Sequence, residues 1–256
     1  MSMVQIYKIE FLKVMKKPIT AILLIPLLLP LFYAISIRTD ASFLNWGGQM
    51  NAISFSYMMW MMLQILGLTH VLFALSATHY FAHELEGGQI KGMLVRGCCR
   101  SKLLISKVLV QMSLLIGTYI IFYLFSTVLF LILGLKELMT QFQYTPLMRS
   151  EILAMGLGDL IYLVGIAMII TLVLCLGLYK RSLSSFLIGV SFHYVLILSQ
   201  FFPIAKYFSP DYVAYQLTSS EGIPLGVGAL MLGAYVLLTL IPIIVAIKKF
   251  NQIDIS

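Results

Sequence analysis

Six stretches of this chain carry no Asp, Glu, Lys or Arg: residues 18–37, 41–83, 108–135, 160–179, 182–205 and 222–247. An α-helix rises about 1.5 Å per residue, so roughly 20 apolar residues cross the hydrocarbon core of a bilayer. The most apolar parts of these stretches predict six spans near 19–37, 56–80, 106–134, 155–178, 184–202 and 223–247. They lack the alternation of a barrel strand, and an open strand cannot satisfy its backbone groups in lipid. The expected fold class is an all-α polytopic membrane protein, with residues 1–256 forming one transmembrane domain. Pro26 and Pro30 in the first span and Pro242 in the last are expected to bend their helices.

Two amphipathic segments lie outside the spans. In residues 3–17, Val4, Tyr7, Phe11, Val14 and Met15 fall on one arc of a helical wheel, with the lysines largely elsewhere. Pro18 then separates this helix from the first span. The segment reads as an interfacial elbow helix lying along the membrane, or more simply as a juxtamembrane anchor. The longest polar connection, residues 81–107, reads FAHELEGGQIKGMLVRGCCRSKLLISK. Glu84 and Glu86 open it, Gly87 and Gly88 supply a turn, and Ile90, Met93 and Leu94 recur at helical spacing. A second turn at Arg96–Arg100 leads into the third span. A short amphipathic helix between two turns, bearing both signs of charge, suits docking into a groove on another protein. The simpler alternative is a loop holding positive charge.

Composition agrees with the pattern. Hydrophobic residues make up 61% of the chain and charged residues 11%, and the mean hydropathy is +0.99, which excludes a water-soluble domain of this length. The net charge of +7 is unevenly placed. With the N-terminus inside, Lys8, Lys13, Lys16, Lys17, Lys91, Arg96, Arg100, Lys102, Lys107, Lys180, Arg181, Lys248 and Lys249 fall on the cytoplasmic side. Only Arg38, Lys136, Arg149 and Lys206 fall outside. The excess puts both termini in the cytoplasm. It also accounts for the charge without nucleic acid, since no basic patch with stacking aromatics stands outside the membrane. Cys98, Cys99 and Cys175 suggest no disulfide framework. No cleavable signal peptide is expected, because the first apolar run is too long for a signal core. The sequence offers no Walker loop, so energy must come from a gradient or another polypeptide.

The 81–107 segment resembles the cytoplasmic loop of type-2 ABC export permeases, through Glu84 or Glu86, Gly88, Ile90, Lys91, Leu94, Arg100, Lys102, Leu103, Leu104 and Lys107. Gln89 stands where Thr is usual in that family, Gly97 where Pro is usual and Cys99 where Ser is usual. The ending Lys248-Lys249-Phe250-Asn251-Gln252-Ile253-Asp254-Ile255 and the opening Glu10, Lys13, Lys17 and Pro18 extend the resemblance along the chain. In length it is similar to the small bacitracin- and lantibiotic-immunity permeases. The resemblance implies a half-transporter in a bacterial cell membrane, pairing with an identical or related permease and with two copies of an ABC ATPase subunit. It implies export of an amphipathic or hydrophobic compound, an antimicrobial peptide foremost. Residues 84–96 become a coupling helix, with Glu84, Glu86, Gly88, Ile90, Lys91, Met93, Leu94, Arg96 and Arg100 serving the ATPase contact. The permease itself is then not an enzyme. It holds no cofactor, and ATP and Mg belong to the partner.

Other constellations point to rival chemistries. His79 and His83 stand at i, i+4 with Glu84 adjacent, but Tyr80 occupies the place where a zinc protease needs Glu. No metal site is therefore expected. His70 and His193 lie inside spans, where an axial haem ligand is conceivable, yet neither has an obvious partner. Ser191 and His193 share a span and lack the Gly-x-Ser-Gly of an intramembrane protease. Asp159 lies either at the headgroup boundary or in a substrate path, and Gln64, Gln111 and Gln200 either line that path or bridge helices. Two further readings remain: a proton-coupled secondary carrier with Asp159 as the proton site, and a non-transporting assembly protein.

Overall fold

The computed structural model describes residues 2–39, 52–95, 99–132, 147–219 and 222–252, which are helical and contain no strand. Helix α1 spans Met3–Met15. The Ser2 Oγ accepts from the Gln5 amide at 3.3 Å while Gln5 Oε1 accepts from the Ser2 amide at 3.0 Å, so two orphan donors of the first turn are satisfied. The face it turns to the protein carries Ile6, Glu10 and Val14, all buried, and it packs along the third span. Val4, Ile9, Leu12 and Met15 remain exposed. The apolar arc read from the sequence therefore divides between two directions, because the helix is apolar on a lipid-facing side as well as on its docked side.

The first span, Pro18–Ser36, starts with Pro18 at the first position of α2 (Pro18–Ile22), where a missing N–H costs nothing. It passes through a 3₁₀ turn at Ile25–Leu27 containing Pro26, and resumes as α3 (Leu28–Arg38). The second span is broken. Helices α4 (Ala52–Ile65) and α5 (Leu68–Ala77) meet at 67°, and Gly67 at the joint has φ 67, a left-handed conformation that glycine adopts without a Cβ clash. A continuous helix over 56–80 is thus replaced by two arms. After α5 the chain widens into a π-helical turn, Thr78–Ala82, then continues as α6 (His83–Glu86), the Gly87–Gly88 turn and α7 (Gln89–Val95).

The remaining spans are α8 (Arg100–Ile132), α9 (Leu147–Leu176, apolar over Ser150–Leu176), α10 (Ser182–Ser199) and α12 (Leu225–Gln252). Between the last two lie a 3₁₀ turn, Ala205–Phe208, and α11 (Pro210–Leu217). Among the described residues, five helices are long and apolar enough to cross a membrane, or six with the bent pair as one span. It is an all-α polytopic membrane protein. Helix α9 is central: 72% of its apolar window is buried, against 17–33% for the other four unbroken spans. It packs on α5, α10, α11 and α12, while α4 and α1 pack on α8. Leu124, Ile132, Leu237 and many other large apolar side chains face outward, as a lipid-solvated bundle requires.

Candidate functional site

At the end of the bundle that carries most of the lysines, five charged side chains converge. Lys107, on α8, has no exposed surface, and its Nζ donates to Glu10 Oε2 at 2.8 Å and Glu84 Oε2 at 2.7 Å. It also donates to the Tyr80 carbonyl at 3.3 Å and stands over the Tyr80 ring, 4.1 Å from its centre. Glu84 Oε1 accepts from Lys13 at 2.8 Å and Lys17 at 2.5 Å, and the Tyr80 hydroxyl donates to Glu10 Oε2 at 2.5 Å. Three lysines face two glutamates, so the cluster keeps one net positive charge. Glu10, Glu84 and Lys107 are fully buried, and each needs these partners because an unpaired buried charge is costly.

Other residues of the 81–107 segment extend these ties. Glu86 Oε1 accepts from the Ser182 amide at 2.6 Å and its Oε2 from the Ser182 hydroxyl at 2.9 Å, so a carboxylate satisfies the first turn of α10 from outside the helix. Arg100 donates to the Phe250 carbonyl at 3.4 Å, and the Ser101 hydroxyl donates to Asn251 Oδ1 at 3.0 Å, joining the start of α8 to the end of α12. Gly88 turns the chain with φ 71. Ile90 is buried within this chain's own core, whereas Met93 and Leu94 are half-buried and Gln89 and Gly92 are exposed. Among the described residues, a Cβ at Gly92 would meet nothing within 4 Å. Lys91 lies on α7, and Arg96 lies outside the described residues.

The polar residues read as a possible path bond to different partners. Asp159 is 4% exposed, and its Oδ2 accepts from the Tyr119 hydroxyl at 2.9 Å and from the Tyr123 hydroxyl. These tyrosines stand one turn apart on α8, and Tyr119 also packs edge-on against Trp60. Gln64 accepts from the Thr69 hydroxyl at 2.9 Å across the break in the second span, and Gln111 accepts from the Ser76 hydroxyl at 3.3 Å. Gln200 donates to the Ser209 hydroxyl at 3.2 Å. Each ties a separate pair of segments. Asp159 Oδ1, Gln64 Nε2 and Gln111 Nε2 are buried and have no hydrogen-bond partner among the described residues.

Several cavities border these spans among the described residues. One of about 380 Å³ is almost wholly apolar and lies between α9, α10 and α12, lined by Met168, Phe192, Leu196, Phe208, Leu238 and Pro242 among others. Another of about 230 Å³ is lined by Ile65, Ile197, Gln200, Asp211 and Tyr215. Beside the second, His70 and His193 stack with ring centres 3.7 Å apart and planes inclined by 16°. Stacked face to face, they leave no room for a macrocycle between them, which disposes of an axial haem pair. Asp211 stands next to them at the start of α11, where burial pushes its carboxyl up to about 7. The sequence reading missed Asp211, which looks like an ordinary loop acid. The available signal was a pair of histidines deep in two separate spans. His79 and His83, at the opposite end of α5 and its continuation, have ring centres 5.1 Å apart.

Residues 6–200 match the ABC-2 family transporter protein family. The match runs from the first turns of α1 to the end of α10 and covers well over half of the chain, so the protein belongs to this family. It is a type-2 ABC permease, the transport component of a system whose ATPase is a separate part, and it works with an ABC ATPase in a lipid membrane. A search of curated proteins finds no match.

Proposed function

We propose that this chain is a half-transporter of an ATP-driven exporter, with the α6–α7 segment as the element that receives the motion of the ATPase. The observation that carries the reading is the set of ties around that segment. Glu84 joins it to α1 and α8 and Glu86 joins it to α10, while Arg100 and Ser101 tie the start of α8 to α12. A displacement of α7 passed on to α6 is therefore felt by the elbow helix and by two spans, α8 and α10, through hydrogen bonds and ion pairs rather than through loose packing. Such coupling transmits work only where the nucleotide states differ in their contacts with α7. Gln89, Gly92, Met93 and Leu94 present the surface for that contact, while Ile90 anchors α7 inward.

In this reading the lysine-rich end faces the cytoplasm of a bacterial cell and both termini lie there. The cargo is an amphipathic or hydrophobic compound, with an antimicrobial peptide as the leading candidate. The apolar cavity between α9, α10 and α12 supports that chemistry, since its lining offers burial and almost no hydrogen bonds. Two permease chains, identical or related, pair above two ATPase subunits.

The test is retention of the ATPase subunit on the tagged permease, at matched expression. Leu94→Asp places a charge in the apolar contact, and Gly92→Trp adds bulk where the folded chain has open space. Each is expected to lower retention at least about tenfold, as loss of a central anchor does. If both variants hold the ATPase as the unaltered chain does, the α7 contact is not where the ATPase docks. A second reading, a proton-coupled carrier, draws support from the buried Asp159 with its unpartnered Oδ1. It requires transport by the purified chain under a pH gradient without the ATPase, abolished by Asp159→Asn. The exporter reading expects none.

A further inference from the structure

We propose that His70, His193 and Asp211 form a binding site for a divalent transition-metal ion of the zinc class, which clamps the break in the second span to α10 and α11. Each residue offers one ligand atom, and these three atoms lie within 4.8 Å of one another. Two imidazole nitrogens and one carboxylate oxygen are a donor set that suits zinc, cobalt(II) or nickel(II) rather than calcium or magnesium.

The three side chains come from three different elements, α5, α10 and α11, and all are more than nine-tenths buried. Their polar atoms are poorly used by the protein. His70 Nδ1, His193 Nε2 and Asp211 Oδ1 are buried and have no hydrogen-bond partner among the described residues. The closest approach between His193 and the carboxylate, Nδ1 to Asp211 Oδ2, is 3.9 Å, too long for a hydrogen bond. Such unsatisfied groups cost stability unless something else satisfies them, and a cation held by all three elements does so in one step.

Access and geometry are both adequate. Asp211 lines the cavity of about 230 Å³, which supplies an entry route and room for a water in the fourth position of a three-ligand site. Two donors on one zinc ion sit roughly 3.4 Å apart when each bond is about 2.1 Å, so a spread of up to 4.8 Å closes by up to about 1.4 Å on binding. Rotation of the imidazoles out of their parallel stack brings their in-plane lone pairs together. The His193 ring lies directly on the break: a Cβ at Gly67 would stand 2.9 Å from its Nε2. The ion therefore fixes the joint between α4 and α5 against two further elements. Nothing in this proposal depends on the exporter reading.

The experiment uses the full-length permease purified through a histidine-free tag and stripped with a chelator. Cobalt(II) is titrated while visible ligand-field absorption is followed, then displaced with zinc, and Tm is read with and without zinc. The unaltered chain is expected to take one cobalt ion per polypeptide with a tetrahedral-type spectrum, and zinc should raise its Tm, as any ligand of the native state does. His70→Gln, His193→Gln and Asp211→Asn should each weaken binding by more than about tenfold, since even outer-sphere partners of a metal site are worth that much. All three should elute as monodisperse protein. His79→Gln/His83→Gln should bind as the unaltered chain does. A chain that shows no cobalt spectrum, or one whose spectrum disappears only with His79 and His83 replaced, overturns the proposal. So does equal binding by the unaltered chain and the three site variants.

Discussion

Lys107→Met asks how much the buried charge cluster holds together. The lysine makes two carboxylate bonds of 2.7 and 2.8 Å and has no exposed surface. Methionine keeps much of the stem and removes the charge. Glu84 then retains Lys13 and Lys17, but among the described residues Glu10 retains only the Tyr80 hydroxyl, and its Oε1 has no partner there. Breaking a buried pair from one side costs about 3–5 kcal/mol. Glu10 sits on α1, so most of this loss falls on the docking of α1 against α8. At about 1.4 kcal/mol per tenfold, local opening of α1 becomes more frequent by roughly two to three and a half orders of magnitude. Amide hydrogen exchange across Met3–Met15 in the purified permease reads that factor directly. Adding Glu10→Gln to Lys107→Met removes the stranded charge and should recover more than half of the loss. Lys13→Ala breaks a pair whose lysine is 31% exposed, and exposed pairs are worth about 0–1 kcal/mol, so exchange should rise less than about fivefold. Exchange in Lys107→Met equal to that of the unaltered chain would refute the reasoning, since no buried charge would then have been stranded.

Two further outcomes follow from the same geometry. Gly189→Ala should lower Tm, at a cost of about 1–3 kcal/mol, because the new Cβ would overlap Val173 Cγ2 on α9 and force the two spans apart; an unchanged melting curve counts against the close α9–α10 contact. On topology, an impermeant maleimide applied to intact cells should label Ser219→Cys readily and reach the native Cys98 and Cys99 only after permeabilisation. The reverse pattern would invert the orientation.

The spans were legible because lipid imposes one simple demand, a charge-free run long enough to cross it. That demand says nothing about what happens inside a run. The break at Gly67 was not legible: several glycines occur in apolar stretches, and its left-handed φ is a property of the folded chain alone. The charged residues suffered a similar ambiguity. Glu10, Glu84 and Lys107 look like ordinary charges near span ends, yet they are buried and joined across long separations in sequence. Ile90 was read as part of an outward apolar stripe and instead faces the chain's own core, because a seven-residue helix lying on a bundle has apolar residues on both sides. The sequence leaves Asp159 between the headgroup boundary and a substrate path, and its tyrosine partners follow only once α8 and α9 stand side by side.

The π-helical turn at Thr78–Ala82 sets the angular phase of everything after it. Its bond runs from the His83 amide to the Thr78 carbonyl, five residues back, so the turn holds about one residue more than an α-helical one. One residue is worth roughly 100° of rotation about the helix axis. Glu84 and Glu86 come immediately afterwards, each aimed at a fixed partner on another span. Were the surplus residue deleted, both carboxylates would swing more than a quarter turn away from Lys107 and Ser182 together. Most of a lipid-facing helix tolerates a slip of that kind by presenting a different apolar side chain to the membrane. This short turn does not, because the surplus residue keeps the span in register with the machinery at its end.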